Sequence, residues 1–511
     1  MQEQTFQSAG THVNEKFADS VAAGSCFMDC AVKIAQAIYG LEGRSETLSL
    51  IALKYAESGQ LEAAAELTET IDDSYLREQA LAGVAAKCIE AGAADYAEKL
   101  AGMIEDDTAY ALATEHVAAA YAESGAIEKS IEVAHRLADS APTLSQIALI
   151  CSGRGLSAQA LEVARSIDYA DLKASALVEL ADKALQDGRK SEALELLPEA
   201  TKAAQEIEFL EPRISNLAAI ASLNKKCGQE EQALEILVRA HQLCDKSEDV
   251  ANDAAFTQIA VGFAELQRYD QADEVIAQIE NPFQFVHASA QVALESHKAG
   301  DSARALTLLA DAWEIARDEE VYGEQTLIMR ESALDDLAIS YATVGHYDEA
   351  LRATVLMNAP DRQHRAQGEI AKLSAASGNN SRVFEVTEMI KDNYARVLCE
   401  VQIVDAFITS EQLALADHML SGALARTATI EQAYEKAPAL MEIAPRFARR
   451  EQFIKASEVL FDTLNTVALI DDSYRQANAL VNLAGKYQEL GQQAGQREET
   501  VLEEMISKLE P

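Results

Sequence analysis

The sequence predicts an all-α solenoid of antiparallel helical hairpins. Three observations predict this fold class. A motif ending in glycine recurs at a nearly constant interval, and aliphatic and alanine residues keep fixed places relative to it. The apolar positions are spaced by three, four and seven residues, as on one face of a helix. No segment alternates with the period of two that a half-buried strand requires, so no sheet is expected.

The repeat is seen most directly in the glycine motif. Tyr55-Ala-Glu-Ser-Gly59 recurs as Tyr121-Ala-Glu-Ser-Gly125, and Tyr341-Ala-Thr-Val-Gly345 has the same form. Glycine adopts the left-handed conformation at little cost, so it suits the turn between two helices. Fourteen turn positions are predicted, mostly 33 residues apart and otherwise 30, 39, 40 or 45: Cys26, Gly59, Gly92, Gly125, Gly155, Gly188, Gly228, Gln267, Gly300, Gly345, Gly378, Glu411, Glu451 and Gly491.

Positions around each turn carry the same residue types. Eight residues before the turn, all thirteen units after the first have an aliphatic residue, such as Ile51 or Val84. Seven before it, twelve of the thirteen have alanine, and five after it alanine appears in eleven of fourteen units. Alanine on both helices of a hairpin lets the backbones approach closely, while the aliphatic residue fills the space toward the next unit. The pattern predicts about 13 or 14 hairpins.

The same turn positions predict the organisation of the chain. Residues 1–43 are predicted as a degenerate N-terminal capping repeat, 44–490 as the hairpin array and 491–511 as a C-terminal capping helix, since repeat arrays need polar ends. A 40-residue step adds about two helical turns, so taller hairpins are expected near 189–267 and 412–491. The 45-residue step contains an extra stretch at 318–323, predicted as a protruding loop.

Composition limits the classes of partner. With 84 acidic against 43 basic residues the formal net charge is −41, and a field of that sign repels phosphate backbones and anionic membrane surfaces. Neither nucleic acid binding nor membrane insertion is therefore expected. The seven cysteines are scattered and odd in number, which indicates reduced thiols. Because the first residues show no secretory signal either, a cytoplasmic location is predicted.

Residues 341–351 combine these features in one stretch: an aromatic residue, three residues, a glycine and then Tyr-Asp-Glu-Ala-Leu. This stretch resembles the tetratricopeptide repeat, and the resemblance covers about residues 45–509. It implies a right-handed superhelical solenoid in which the first helix of each hairpin lines a concave, partner-binding surface. Two departures are clear. The family's usual proline at the end of the second helix is mostly absent, and the unit length is 33 or about 40.

No motif for catalysis or metal binding is recognised. Cys26 and Cys30 form a C-x3-C pair, but no second pair of ligands stands at usable spacing, so structural thiols are favoured over a metal site. Gly153-Arg-Gly155 has neither the preceding strand nor the third glycine of a dinucleotide fingerprint. We therefore expect no cofactor, no metal and no catalytic residue.

The resemblance places the concave surface six and three residues before each turn, where this sequence is mostly apolar and small. An acidic residue often follows one position later. The candidate binding residues drawn from these positions are Leu53, Glu57, Ile89, Glu90, Glu123, Leu149, Val261, Leu294 and Ile339. Two interpretations stay open. The apolar row is either an open groove or interior packing within a tightly wound superhelix.

These observations favour a non-catalytic scaffold or adaptor that binds an apolar or basic amphipathic segment of a partner protein. Two alternatives remain. A helical-repeat enzyme of the lyase or transferase type would need a pocket of titratable residues. A regulatory sensor would bind a small effector in the solenoid, although the repeats leave no segment of the chain for an output domain.

Overall fold

The computed structural model describes residues 25–244, 252–322 and 327–509, and every regular element in these ranges is a helix. The predicted all-α class is thereby confirmed. The chain forms two compact units: the first contains both chain ends, up to Ala120 and from Leu413, and the second runs from Tyr121 to Gln412. None of the described helices is both long and apolar enough to cross a membrane.

Helices are numbered in chain order. The first unit begins with α1 Ser25–Gln36, α2 Leu41–Glu57, α3 Leu61–Glu69, α4 Ser74–Glu90, α5 Ala94–Ala101 and α6 Asp107–Ser124, whose last turn belongs to the second unit. The second unit continues with α7 Ile127–Ala134, α8 Ala141–Gly153, α9 Ser157–Ser166, α10 Ala170–Gln186, α11 Lys190–Glu206, α12 Leu210–Lys226, α13 Glu230–Cys244, α14 Asp253–Glu265, α15 Tyr269–Ile276, α16 Pro282–Lys298, α17 Ser302–Ala316, α18 Glu319–Tyr322, α19 Leu327–Thr343, α20 Tyr347–Val355, α21 Pro360–Ala376, α22 Asn380–Met389 and α23 Asn393–Thr409. The first unit ends with α24 Leu413–Thr427, α25 Ala433–Arg449, α26 Phe453–Val467, α27 Ser473–Glu489 and α28 Gln496–Ser507.

The backbone confirms thirteen of the fourteen predicted turn positions. From Gly59 to Gly491 each has a positive φ, including the three that are not glycine. At the first of these turns the N–H of Gly59 donates to the carbonyl of Ala56, and the N–H of Gln60 donates to that of Tyr55. This is the pair of bonds of a Schellman motif, which satisfies the last carbonyls of the first helix. The repeated Tyr-x-x-x-Gly pattern is therefore the sequence of a helix ending.

Cys26 was wrongly predicted as a turn. It lies inside α1, one residue after that helix begins. Spacing alone had suggested the position, and no glycine stands there to favour a left-handed backbone.

Three turns place a residue other than glycine in the left-handed backbone conformation. This conformation costs free energy that glycine would not. Glu451 has φ of 58°, where an L side chain costs about 1–2 kcal/mol. We expect Glu451→Gly to raise the free energy of unfolding by about 1 kcal/mol in urea denaturation, after allowing for glycine's freedom in the unfolded chain. Glu458→Gly is the matched control within α26, where the same substitution should lower stability by about 1 kcal/mol. If both substitutions changed the free energy of unfolding in the same direction, the left-handed backbone assigned to Glu451 would be contradicted.

The predicted tall hairpins are confirmed, and their extra length lies in the second helix. Second helices of the 33-residue units are short, with nine residues in α3 and eight in α5. Those of the longer units have 17 residues in α11 and 15 in α13, α24 and α26. The first helices α2, α10 and α25 all keep 17 residues. The difference in unit length between these hairpins therefore lies mainly in their second helices.

The hairpins pack through the residues that the pattern predicted. Ile51 and Ala52 on α2 and Ala64 on α3 are fully buried, and the equivalent positions in later units are buried too. Several first helices begin at an acid that accepts a backbone N–H bond, as Asp73 does from Leu76 at 2.9 Å and Asp472 from Arg475 at 2.7 Å. The tetratricopeptide-like hairpin array is thus present in both units.

The two chain ends pack together in the first unit. Helix α1 contacts α27 as closely as second helices contact their own first helices, and it also contacts α2 and α28. Phe27 is fully buried with its ring centroid 4.7 Å from that of Tyr487, and the Tyr55 hydroxyl donates to Asp29 at 2.7 Å. The predicted capping ranges 1–43 and 491–511 therefore contain two helices in mutual contact, α1 and α28, while residues 1–24 lie outside the described part of the chain.

The long step after Gly300 holds a short helix where a protruding loop was predicted. Residues 319–322 form α18, and the Tyr322 side chain is buried, which raises its pKa to about 12. Residue 323 lies outside the described ranges. The segment is held because Arg330, only 1% exposed, donates from Nε to the carbonyl of Ala316 at 3.0 Å and from Nη2 to that of Arg317 at 3.3 Å. A buried side chain thus anchors the end of α17 and the residues after it.

Candidate functional site

Three consecutive first helices of the second unit, α8, α10 and α12, line a cleft of about 480 Å³. Its floor is apolar and comprises Leu149, Val178, Ala219 and Leu223, of which the first three are half-buried. The cleft exists because small residues face it from the flanking helices, notably Gly153 on α8 and Ser222 on α12. We call this feature the α8–α12 cleft.

Charges of both signs surround the floor. Asp182 on α10 accepts a bond from Gln186 at 2.7 Å and forms an ion pair with Lys226 on α12 at 3.0 Å. Lys183 pairs with Asp187 at 3.1 Å. These partly exposed pairs contribute little stability individually, and only the pair of Asp182 with Lys226 joins α10 to α12. The cleft therefore offers an apolar floor and a rim on which charge is nearly balanced.

The predicted binding residues fall into different surroundings. Leu149 lines the α8–α12 cleft together with Ser152, the residues six and three positions before the turn. Val261, Leu294 and Ile339 occupy the same offset on α14, α16 and α19 and are half-buried.

In the first unit, two of the apolar candidates pack against their neighbours. Leu53 lies against α4 so closely that a Cβ atom at Gly83 would stand 2.3 Å from Leu53 Cδ2. Ile89 is 2% exposed and lies among the interior residues of α4. At these two positions the side chains fill the space between first helices.

The acidic candidates are exposed, and two of them have lysine partners on their own helix. Glu57 pairs with Lys54 at 2.6 Å and Glu90 with Lys87 at 2.9 Å, while Glu123 is exposed near the end of α6. The equivalent positions in the α8–α12 cleft are not acidic: Gly153, Gln186 and Lys226. The acidic row predicted beside the apolar one therefore does not run through the cleft.

Other titratable groups tie first helices together. His287 on α16 donates from Nδ1 to the Asp336 carboxylate on α19 at 2.8 Å, and this carboxylate raises the pKa of the imidazole. Burial raises the pKa of Asp335, opposed by its ion pair with Arg365 on α21. Both pairs join neighbouring first helices, so we interpret them as contacts that stabilise the packing of these helices. Across the described residues, no three His, Cys, Asp or Glu side chains converge as metal ligands would.

The cysteines have the properties of small apolar core residues. All seven are free, and all but Cys26 are buried. Burial raises the pKa of Cys30 and of Cys399 to about 12, so both are protonated at neutral pH and are poor metal ligands and nucleophiles. The Cys30 thiol points to the carbonyl of Leu502 at 3.8 Å, across the contact between α1 and α28.

A second cavity in the same unit was not anticipated from the sequence. It has a volume of about 530 Å³ and lies between the long second helices α11 and α13 and the first helix α12. Its lining is more polar than that of the α8–α12 cleft and includes Gln205, Asn224, Gln232 and Arg239, with Ile236 among the apolar residues. Only the unit lengths indicated that these second helices extend far enough to enclose such a space.

Comparisons with known proteins find helical repeats and no closer kinship. No family model matches the chain, and no curated protein does. Similar solved structures include Ton1535 from Thermococcus onnurineus NA1, with 15% identity, 72% of this chain and 98% of that chain covered, and a TM-score of 0.26. A human IFIT1 dimer with m7Gppp-AAAA has 14% identity, coverage of 88% and 100%, and a TM-score of 0.30.

A third similar structure is a signal transduction ATPase with a tetratricopeptide repeat sensor from Pyrococcus horikoshii. It has 12% identity, coverage of 74% of this chain and 67% of that chain, and a TM-score of 0.25. Similarity at this level carries no information about ligands, so the function has to be inferred from this chain's own side chains.

Proposed function

We propose that this chain is a non-catalytic protein interaction scaffold, and that the α8–α12 cleft receives an apolar or basic amphipathic segment of a partner protein. The observation that carries the proposal is the half-buried apolar floor formed by Leu149, Val178 and Ala219 on three consecutive first helices. Apolar area that a partner covers there is removed from water at roughly 25 cal/mol per Å².

Charge favours a protein segment over nucleic acid in this proposal. The net charge of −41 repels phosphate, whereas exposed Glu179 on the cleft rim suits a cationic side chain. The seven free cysteines favour a reducing compartment, so the cytoplasm is the proposed location.

A charge placed in the cleft floor tests the proposal. We expect Leu149→Asp combined with Ala219→Asp to weaken partner binding about 100-fold, because an unpaired carboxylate against an apolar ligand costs about 3 kcal/mol. The partner would first be captured by a photoreactive side chain placed at Ser222, in extract from the native cell. Binding of the captured protein is then measured by titration calorimetry on the wild type and the double variant.

The control is Val355→Asp, which places the same charge on an exposed aliphatic residue of the same unit, outside the cleft. It should leave binding unchanged. Circular dichroism should show the same helicity for all three proteins. If the double variant folds and binds the partner as the wild type does, the cleft is not the binding site. If the double variant unfolds, Leu149 and Ala219 are interior packing residues, and the cleft is ruled out as well.

One observation favours a second candidate function, an effector-binding sensor. The polar cavity between α11 and α13 has the size of a small-molecule site, and its lining offers several hydrogen-bonding side chains. If it is such a site, members of a library of small polar metabolites should raise the Tm of the wild type. Ile236→Trp, which fills the cavity, should abolish that rise, and a rise retained in this variant would exclude the cavity.

A further inference from the structure

Four exposed tyrosines lie at the N-terminal ends of first helices in the first unit. Tyr75 is on α4, Tyr110 on α6, Tyr434 on α25 and Tyr474 on α27, and their exposed fractions range from 36% to 50%. We call this row the tyrosine edge. Exposed aromatic side chains that recur in a row are typical of binding surfaces, in which tyrosine is enriched.

The tyrosine edge crosses the contact between the chain ends. First helices α25, α27, α2 and α4 contact one another in succession. The ring of Tyr474 lies against α2, where a Cβ atom at Gly43 would stand 3.4 Å from its Cδ2 atom. The edge is therefore continuous from α25 to α4 on the first unit, although its residues come from distant parts of the sequence. The start of α6 lies beside α4, because the N–H of Asp106 donates to Glu78 Oε2 on α4 at 2.9 Å.

Exposed carboxylates lie at the same helix ends as these tyrosines. The loops and first turns at this edge carry a high density of acid: Glu42, Glu46, Asp72, Asp73, Glu105, Asp106, Asp107, Glu431, Asp471 and Asp472. Aromatic faces and carboxylates together are the groups to which a guanidinium binds, by stacking on the ring and by paired hydrogen bonds.

Two arginines of the chain itself already bind at the edge, one by stacking on a ring and one by a single hydrogen bond to a carboxylate. The guanidinium carbon of Arg475 stands 4.1 Å from the ring centroid of Tyr434. Arg44 donates from Nη2 to Asp72 Oδ2 at 2.5 Å. The first contact joins α27 to α25, and the second joins α2 to the loop before α4, so arginine side chains of the chain itself already lie at this edge.

We propose that the tyrosine edge binds an arginine-rich segment of a partner protein. Stacking on Tyr75 and Tyr110 and pairing with the neighbouring carboxylates would repeat the contacts of Arg475 and Arg44. The surface is separate from the α8–α12 cleft and lies on the other unit, so it adds a second binding site to the scaffold and does not depend on the first.

The test uses the full chain and a short peptide that alternates arginine and glycine. We expect the peptide to bind the wild type and to bind Tyr75→Ser with Tyr110→Ser about tenfold more weakly, since two stacking contacts are lost. Tyr75→Phe with Tyr110→Phe keeps both rings and should retain binding. A peptide with lysine in place of arginine should bind more weakly than the arginine peptide, because lysine neither stacks flat nor pairs with two oxygens.

Two controls separate this surface from others. Phe453→Ser removes an aromatic ring of 58% exposure from the same unit, on the second helix α26, and should not change peptide binding. Leu149→Asp alters the cleft and should not change peptide binding either, so that the two proposals fail or succeed independently.

The carboxylates of the edge are tested separately. Glu431→Gln with Asp471→Asn should weaken peptide binding, and the loss should be largest at low salt.

Three results would overturn the proposal. The first is equal binding of the arginine peptide to the serine variants and the wild type. The second is equal affinity for the lysine and arginine peptides, which would reduce the contact to net charge. The third is tighter binding of an acidic peptide or a single-stranded RNA than of the arginine peptide.

Discussion

Phe27→Ala is expected to lower the free energy of unfolding of the first unit by about 3–5 kcal/mol, the range for truncating a fully buried phenylalanine. Phe27 is 0% exposed and its ring packs against Tyr487, so the substitution leaves a cavity between α1 and α27. Because repeat units are stabilised by nearest neighbours, the loss should be local to the helices that α1 contacts: α2, α27 and α28.

Hydrogen exchange followed by mass spectrometry measures this effect directly. Peptides from α1, α27 and α28 should lose protection in Phe27→Ala, while those from α10 and α12 in the second unit should keep theirs. Tyr39→Ala, at a fully exposed residue just before α2, is the control and should change stability by less than about 0.5 kcal/mol. A change below about 1 kcal/mol for Phe27→Ala would mean that α1 is not held against α27 in solution.

The turn positions show how much of the fold can be predicted from the repeating sequence pattern. Gln267, Glu411 and Glu451 are left-handed although nothing in their side chains favours it, and spacing alone identified them. This works because each unit packs on its neighbours through the same offsets, so that the aliphatic residue eight positions before the turn has the same surroundings in every hairpin. Unit length likewise predicted which hairpins are taller, although not that only the second helix grows.

The pairing of the chain ends could not be predicted in the same way. Phe27 and Tyr487 are separated by almost the whole chain, and no local pattern of the sequence indicates a contact between residues so far apart. The degenerate sequence of α1 gave one misleading signal, the turn assigned to Cys26. Helix α1 packs against a helix that is distant in the sequence, so its apolar residues need not keep the spacing from a turn that the helices of a hairpin share.

Only part of the candidate site could be predicted, because a cleft depends on contacts between helices that a local pattern does not contain. The offset rule identified Leu149, which lines the α8–α12 cleft, but not Val178 and Ala219 on the neighbouring helices. Whether an apolar row is open depends on the side-chain volumes of adjacent first helices. At Leu53 the neighbouring glycine, Gly83, allows the leucine to pack against α4, whereas at Leu149 the neighbours leave a cleft.

Arg330→Met is expected to lower the free energy of unfolding by about 3 kcal/mol, because methionine fills much of the volume but donates no hydrogen bond. The buried guanidinium bonds to the carbonyls of Ala316 and Arg317 and pairs with Glu319 at 3.0 Å. Without it, the carbonyls at the end of α17 lose both their donors and a favourable positive charge at the helix C-terminus.

Two further variants separate hydrogen bonding from charge. Arg330→Lys keeps the positive charge but cannot match the planar fork, so about half of the loss should remain. Arg317→Met removes an exposed arginine that pairs with Glu314 on the same helix, and it should cost less than about 0.5 kcal/mol. Chemical denaturation gives the three values, and hydrogen exchange should locate the Arg330→Met loss in α17 and α19. Equal stabilities for Arg330→Met and Arg317→Met would show that the segment after α17 is held by the burial of Tyr322 and not by the buried arginine.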